Sequence, residues 1–243
     1  RSIGSDKKYG KVKFSDAAAT LSFNNAASTA DVESKIGEIE VATSSRGIIE
    51  FTNTNNNLHK LTIEKLGAEG KELANFKLGG ASAGDKALVE FSGTAYSKAL
   101  TLVKGSTLTL AEGAKWHGNA TFAEVTDKLV LKENTEYHGT LDGATSDKGH
   151  ISIEGKSLIA GAIGAAQKLH TLEFKADGKD VTLSKVGGGT INEVKFSADT
   201  KVIVTGENTA ITLAAALTTS SKSTGSFEID MKDASKGLAF IGN

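Results

Sequence analysis

The residues best placed to do chemistry occur twice. Trp116-His117-Gly118 returns 21 positions later as Tyr137-His138-Gly139. On neighbouring coils of a repeat, His117 and His138 would lie about 5 Å apart at the interstrand spacing. A divalent metal or an acidic ligand could bridge imidazoles at that separation. The recurrence also has a simpler cause, because repeating coils place like residues in like turns. That simpler cause is the one adopted for both stretches. His59, His150 and His170 sit beside strands with no HxH or HExxH spacing, so no metal motif is visible. No residue is therefore assigned as catalytic, cofactor-binding or metal-ligating, and no cofactor is expected.

Other chemistries find little material. Cysteine is absent, which removes disulfides, thiolate catalysis and Cys-based zinc sites. Carboxylates that might cleave a polysaccharide are scattered, often beside lysine, rather than grouped in pairs. The only arginines are Arg1 and Arg46, so bidentate recognition of carboxylate or phosphate is nearly unavailable. Val186-Gly-Gly-Gly-Thr190 lacks the Lys-Ser/Thr ending of a phosphate loop and precedes a strand rather than a helix. Asn119-Ala-Thr121 is formally a glycosylation sequon, of the kind expected by chance in a chain this long. The 28 Lys and Arg against 29 Asp and Glu give a net charge of -1, without the positive excess of a nucleic-acid binder. An enzyme is not expected.

The elements that would position these residues are strands. Strict alternation of apolar and polar residues marks Lys11 to Phe14, Thr20 to Phe23, Leu61 to Ile63, Leu100 to Leu102 and Thr107 to Leu110. It continues at Leu129 to Leu131, Ile151 to Ile153, Val181 to Leu183 and Lys201 to Val204. Turn clusters divide them, among them Asn53 to Asn57, Gly79-Gly80, Asp177-Gly178 and Gly187 to Gly189. The one helical signal is Ser28 to Ile36, where Ser28 or Thr29 precedes Asp31 and Glu33 as a cap would. Six phenylalanines end an aliphatic-polar-Phe triplet: Phe14, Phe23, Phe51, Phe91, Phe174 and Phe196.

Two internal matches decide the architecture. Leu108, Leu110, Glu112, Trp116, His117 and Gly118 align with Leu129, Leu131, Glu133, Tyr137, His138 and Gly139. Ile3-Gly4 precedes Phe14 as Ile163-Gly164 precedes Phe174, with Lys8, Val12, Leu21 and Phe23 matching Lys168, Leu172, Val181 and Leu183. A unit of this size, made of short strands and turns, fits one coil of a right-handed parallel β-solenoid. The expectation is an all-β chain, residues 1–243 forming a single elongated domain of irregular coils of about 20–25 residues with minor helical turns. Proline is wholly absent. That suits a stack in which nearly every strand N–H is needed by its neighbour. No apolar run approaches the roughly 20 residues of a membrane helix; the longest, Ala210 to Leu217, is interrupted by Thr212. Arg1 at the start points to a processed or excised piece, its signal peptide already gone.

The unit Ile-Gly, polar spacer, aliphatic-x-Phe, then Val/Leu-Thr-Leu resembles the passenger repeats of rickettsial surface cell antigens, which are outer-membrane autotransporters. Ile163 to Phe174 with Val181-Thr-Leu183 carries the resemblance most fully, followed by Ile3 to Phe23. Gly105 to Ala114 looks like bacterial β-helix adhesins more generally, while Asn53 to Leu78 matches poorly. The resemblance implies a secreted, non-catalytic virulence-type surface protein, attached to the outer membrane through parts outside this chain and acting in adhesion or host-cell contact. The implied partners are a host surface protein or neighbouring copies. The alternative is a self-assembling surface-layer (S-layer) or filament subunit with a protective role.

Overall fold

The computed structural model describes residues 8–24, 32–52, 58–82, 84–184, 189–206, 211–221, 224–231 and 238–240. Within them lie 21 strands and no helix, and every strand-to-strand pairing is parallel. Successive coils stack in register, so each residue meets its counterpart one coil away. Leu108 pairs with Leu129 and Leu110 with Leu131, then with Ile151 and Ile153. Trp116 pairs with Tyr137, and His117 with His138. The 21-residue repeat is thus one turn of a parallel β-solenoid. No helix of the described residues is long and apolar enough to cross a membrane.

Three columns of inward side chains fill the interior. The first face contributes His59, Val89, Leu108, Leu129, Ile151, Leu172 and Val194 in turn. A second face stacks ten rungs: Val12, Ile39, Leu66, Ala95, Trp116, Tyr137, Ile159, Leu183, Val204 and Ile229. Along the third run Leu21, Ile49, Phe76, Leu100, Ala120, Leu141 and Ile163. Ten rungs at the interstrand spacing make a stack on the order of 45 Å tall. All six triplet phenylalanines are buried, none more than 5% exposed.

Coil length varies along the stack. Ile39 to Leu66 takes 27 residues and Leu66 to Ala95 takes 29, whereas Ala95 to Trp116 and Trp116 to Tyr137 take 21 each. The extra residues of the 29-residue coil lie between strands, at 67–72 and 79–87, and rings pack inside. Phe23 stacks on Phe51 at 4.6 Å, while Trp116 meets Phe76 and Phe91 edge-on at 5.1 and 5.4 Å. The shorter coils bury rings too, among them Phe122, Tyr137, Phe174 and Phe196, beside Leu and Ile.

Corners are made by residues that can bring one backbone against another. Gly118 and Gly139 hold φ of +151° and +148°, and Gly161 follows at the same corner. A Cβ on Gly139 would stand 2.1 Å from the Gly118 carbonyl oxygen. This explains why glycine follows histidine at both copies of the repeat. A different device ties the turns between the third and first faces. The Asp127 carboxylate accepts four amide N–H groups, from Gly105 and Ser106 at 2.8 and 3.0 Å and from Ala123 and Glu124 at 2.9 and 2.7 Å.

Two expectations require correction. Residues 32–36 belong to the strand Val32–Val41, not to a helical turn; Ser28 to Asp31 lie outside the described residues. The helical expectation rested on a cap-like Ser28 or Thr29 before Asp31 and Glu33, and a local cap signal does not outweigh the ladder, in which Glu33, Ser34, Lys35 and Ile36 pair in register with Lys60 to Ile63. In the longer internal match, Val12 stands in the second-face column and Leu172 in the first; Leu21 is on the third face and Val181 on the second. The strand–turn–strand unit is repeated but rotated by one face. Ile3-Gly4, Asn53 to Asn57 and most of the 186–190 glycine loop lie outside the described residues.

His59 occupies an apolar position, 6% exposed, edge-on to Phe23 and Phe51 and within 3.0 Å of Ser34 Oγ. Burial lowers its pKa to about 4. The unfolded chain therefore takes the proton first, so stability is full above pH 6.5 and falls as pH drops toward 4. The loss is roughly 3 kcal/mol. Denaturant titrations at pH 7 and pH 4 should show it, and His59→Phe should flatten it. Asp127→Asn should cost about 2–4 kcal/mol at pH 7, since an amide can accept from only one of the two donor pairs.

Candidate functional site

The second face also carries an outward column. Chain neighbours of Ala95, Trp116 and Tyr137 must point the other way in a strand, which sets Tyr96, His117 and His138 on the surface. Their rings stack. Tyr96 and His117 centroids are 4.3 Å apart and those of His117 and His138 4.6 Å, each pair within 5° of parallel. The ladder pitch sets that separation. The following rung is Ala160, whose methyl leaves the far side of His138 without a ring partner.

Face-to-face stacking decides what this pair can do. Imidazole lone pairs lie in the ring planes, and parallel planes aim them side by side rather than at one point. The described residues hold no cluster of three or more His, Cys, Asp or Glu suited to a metal ion. His138 Nε2 instead lies 3.1 Å from Glu136 Oε2, and Glu136 Oε1 is 2.7 Å from Lys115 Nζ. Lys115, followed by His138, holds the Glu136 carboxyl below its usual range. Burial, then the neighbouring His138, pushes the His117 pKa down. Inside the wall, Tyr137 donates its hydroxyl to the Gly118 carbonyl at 2.8 Å, while the buried Trp116 Nε1 has no hydrogen-bond partner.

An open groove of about 660 Å³ lies beside the rings. It forms where the 27- to 29-residue coils give way to 21-residue coils, beside the turn at residues 67–72. Ser44, Glu69 and Glu72 come from turns; Tyr96, His117 and Asn119 come from the strands, and Lys98 stands at the rim. Glu72 is held in place by the Ser44 hydroxyl at 2.5 Å and the Gly70 amide at 2.9 Å, which lower its pKa. Asn119 of the sequon accepts the Thr140 amide at 3.0 Å. The sequence singled out His117 and His138 but missed Tyr96, Glu69, Glu72 and Lys98. A signal for Tyr96 was present: Ala95-Tyr96 stands 21 residues before Trp116-His117.

A second polar cluster has a structural character. Glu173, 5% exposed, accepts from Ser197 Oγ at 2.7 Å and lies near His150 Nε2 (3.0 Å), Lys175 Nζ (3.1 Å) and Lys195 Nζ (3.6 Å). Burial alone would raise its carboxyl, but Ser197, Lys175 and His150 outweigh it and bring the pKa down to about 2. His170 pairs with Asp147 at 3.0 Å. Arg46 spends its guanidinium on the Ser15 carbonyl at 2.7 Å and on Thr43 Oγ1, while Arg1 lies outside the described residues.

Removing the like-charged neighbour should raise the His117 pKa. NMR titration of the imidazole signals should place His117 below an ordinary histidine in the native protein, and His138→Ala should move it upward. Comparisons with family models, with curated proteins and with solved structures find no match to this chain.

Proposed function

We propose that the chain is a non-catalytic, rod-like adhesive segment of a bacterial cell-surface protein, and that its groove receives a partner protein. The observation that carries this reading is the groove itself, where two glutamates and a stack of flat rings face one open space. Such a lining suits a lysine or arginine side chain of a partner, its charge met by Glu69 and Glu72 and its apolar stem lying over the outer face of Tyr96, the one face at that end of the stack that His117 does not cover. The repeat's resemblance to autotransporter passengers supports an extracellular setting, with attachment to the outer membrane through parts outside this chain. The surface of paired lysines and glutamates, as in Lys77–Glu50 at 2.7 Å and Lys132–Glu154 at 2.6 Å, suits exposure to solvent along a rod.

A second reading, a self-assembling surface subunit, is favoured by two core positions left open at the C-terminal end. Leu217 is 56% exposed and Ile229 is 51% exposed.

Binding to host cells tests the first reading. Tyr96→Ala combined with Glu72→Gln should weaken cell binding by about tenfold, the size of one lost cation–π and ion-pair contact. Melting temperature should change little. Binding that is indifferent to both substitutions would remove the groove from the proposal. Release of sugar ends from a polysaccharide panel would replace adhesion with catalysis.

A further inference from the structure

We propose that acid closes the groove: a proton on His117 puts a positive charge on the inner face of Tyr96 and so expels the partner's cation from the outer face. This rests on the groove reading above and adds the condition under which the groove releases what it holds.

Tyr96 stands between two positions for a cation. Its inner face lies on His117 at 4.3 Å, within 5° of parallel. Its outer face has no ring over it, because the neighbouring residue on the preceding coil is Gly67, held at φ +62°. A Cβ on Gly67 would stand 2.8 Å from the Tyr96 carbonyl oxygen, so a side chain is excluded there. Tyr96 and His117 line the groove together. A neutral imidazole leaves the electron-rich face of Tyr96 to an incoming lysine or arginine. An imidazolium is already a cation on that ring, and it repels a second cation one ring away.

The groups that face His117 come from four elements. Its own strand, Lys115–Phe122, brings Lys115, and the next, Thr135–His138, brings Glu136 and His138. The strand Leu88–Leu102 brings Tyr96 and Lys98, and the turn at 67–72 brings Glu69 and Glu72. Glu136 is already engaged, 2.7 Å from Lys115 and 3.1 Å from His138. Burial, then His138, keeps His117 below an ordinary histidine, so its ring is neutral at neutral pH. The His138 ring lies 4.6 Å behind it, and charge on one imidazole opposes charge on the other.

Binding and protonation are then reciprocal. If the protonated groove holds a cation about tenfold more weakly, a bound cation lowers the His117 midpoint by about one pH unit.

NMR titration of the 243-residue chain with the peptide tetralysine, read at the Tyr96 and His117 ring signals, tests this. At about pH 7.5 the peptide should bind with its largest shifts at Tyr96, and at about pH 5 it should bind about tenfold more weakly. Saturating peptide should lower the His117 midpoint by about one pH unit. His138→Ala should raise that midpoint and move peptide release to higher pH with it. His117→Gln, whatever its affinity at pH 7.5, should keep it at pH 5 to within about threefold. A loss in His117→Gln as large as in the unsubstituted chain would assign the pH effect to the carboxylates and overturn the proposal. Equal binding at both pH values, a His117 midpoint that ignores the peptide, or release that accompanies collapse of the whole spectrum would overturn it too. No binding at pH 7.5 would remove the groove reading and the acid control together.

Discussion

Everything in this molecule hangs on an in-register parallel ladder. A strand here has no partner within its own coil; its amides and carbonyls are satisfied by the coils on either side. Lys128, Leu129, Val130 and Leu131 pair with Thr107 to Leu110 on one edge and with His150 to Ile153 on the other. Losing a single N–H therefore breaks a bond between coils rather than within one, which gives a physical reason for a chain of this length to lack proline in its strands. Register follows from the same constraint. A one-residue slip would turn Trp116 and Tyr137 outward and bury His117 and His138.

What the ladder fixes along the axis it leaves free around the circumference. Coils may be longer or shorter provided the rungs align, and the groove arises from that freedom. The longer coils hold the contacting rings Phe23, Phe51, Phe76 and Phe91; where they give way to 21-residue coils, a groove forms beside Tyr96. Corners are specified locally, by glycine where backbones touch and by Asp127 where four amides converge.

Much of this was legible in the residues. Leu108, Trp116 and His117 announced their partners 21 positions ahead, and those pairs are stacked rungs. Alternation located nine strands because one face of each is dry. It did not find Val32–Val41, whose first residues were read as a helical turn from the cap-like Ser28 or Thr29 before Asp31 and Glu33. Identity of motif also did not reveal which face a strand occupies, since the same alternation serves all three; hence Val12 and Leu172 matched in sequence while lying on different columns. The groove was the least legible feature. Glu69 and Glu72 reach Tyr96 through a difference in coil length, a property of two coils together that no single stretch of residues displays.

The uniform spacing of the middle coils has a bearing on how such a chain can change over time. Residues 107–122 and 128–143 superimpose rung for rung at a constant interval of 21. A tandem duplication of 21 codons there would insert a whole coil without disturbing any neighbouring register. The rod would grow by about 4.8 Å, and one ring would be added to the Tyr96–His117–His138 stack. Length and the number of surface rings are then inherited together, so a lineage could lengthen the stack without redesigning its core.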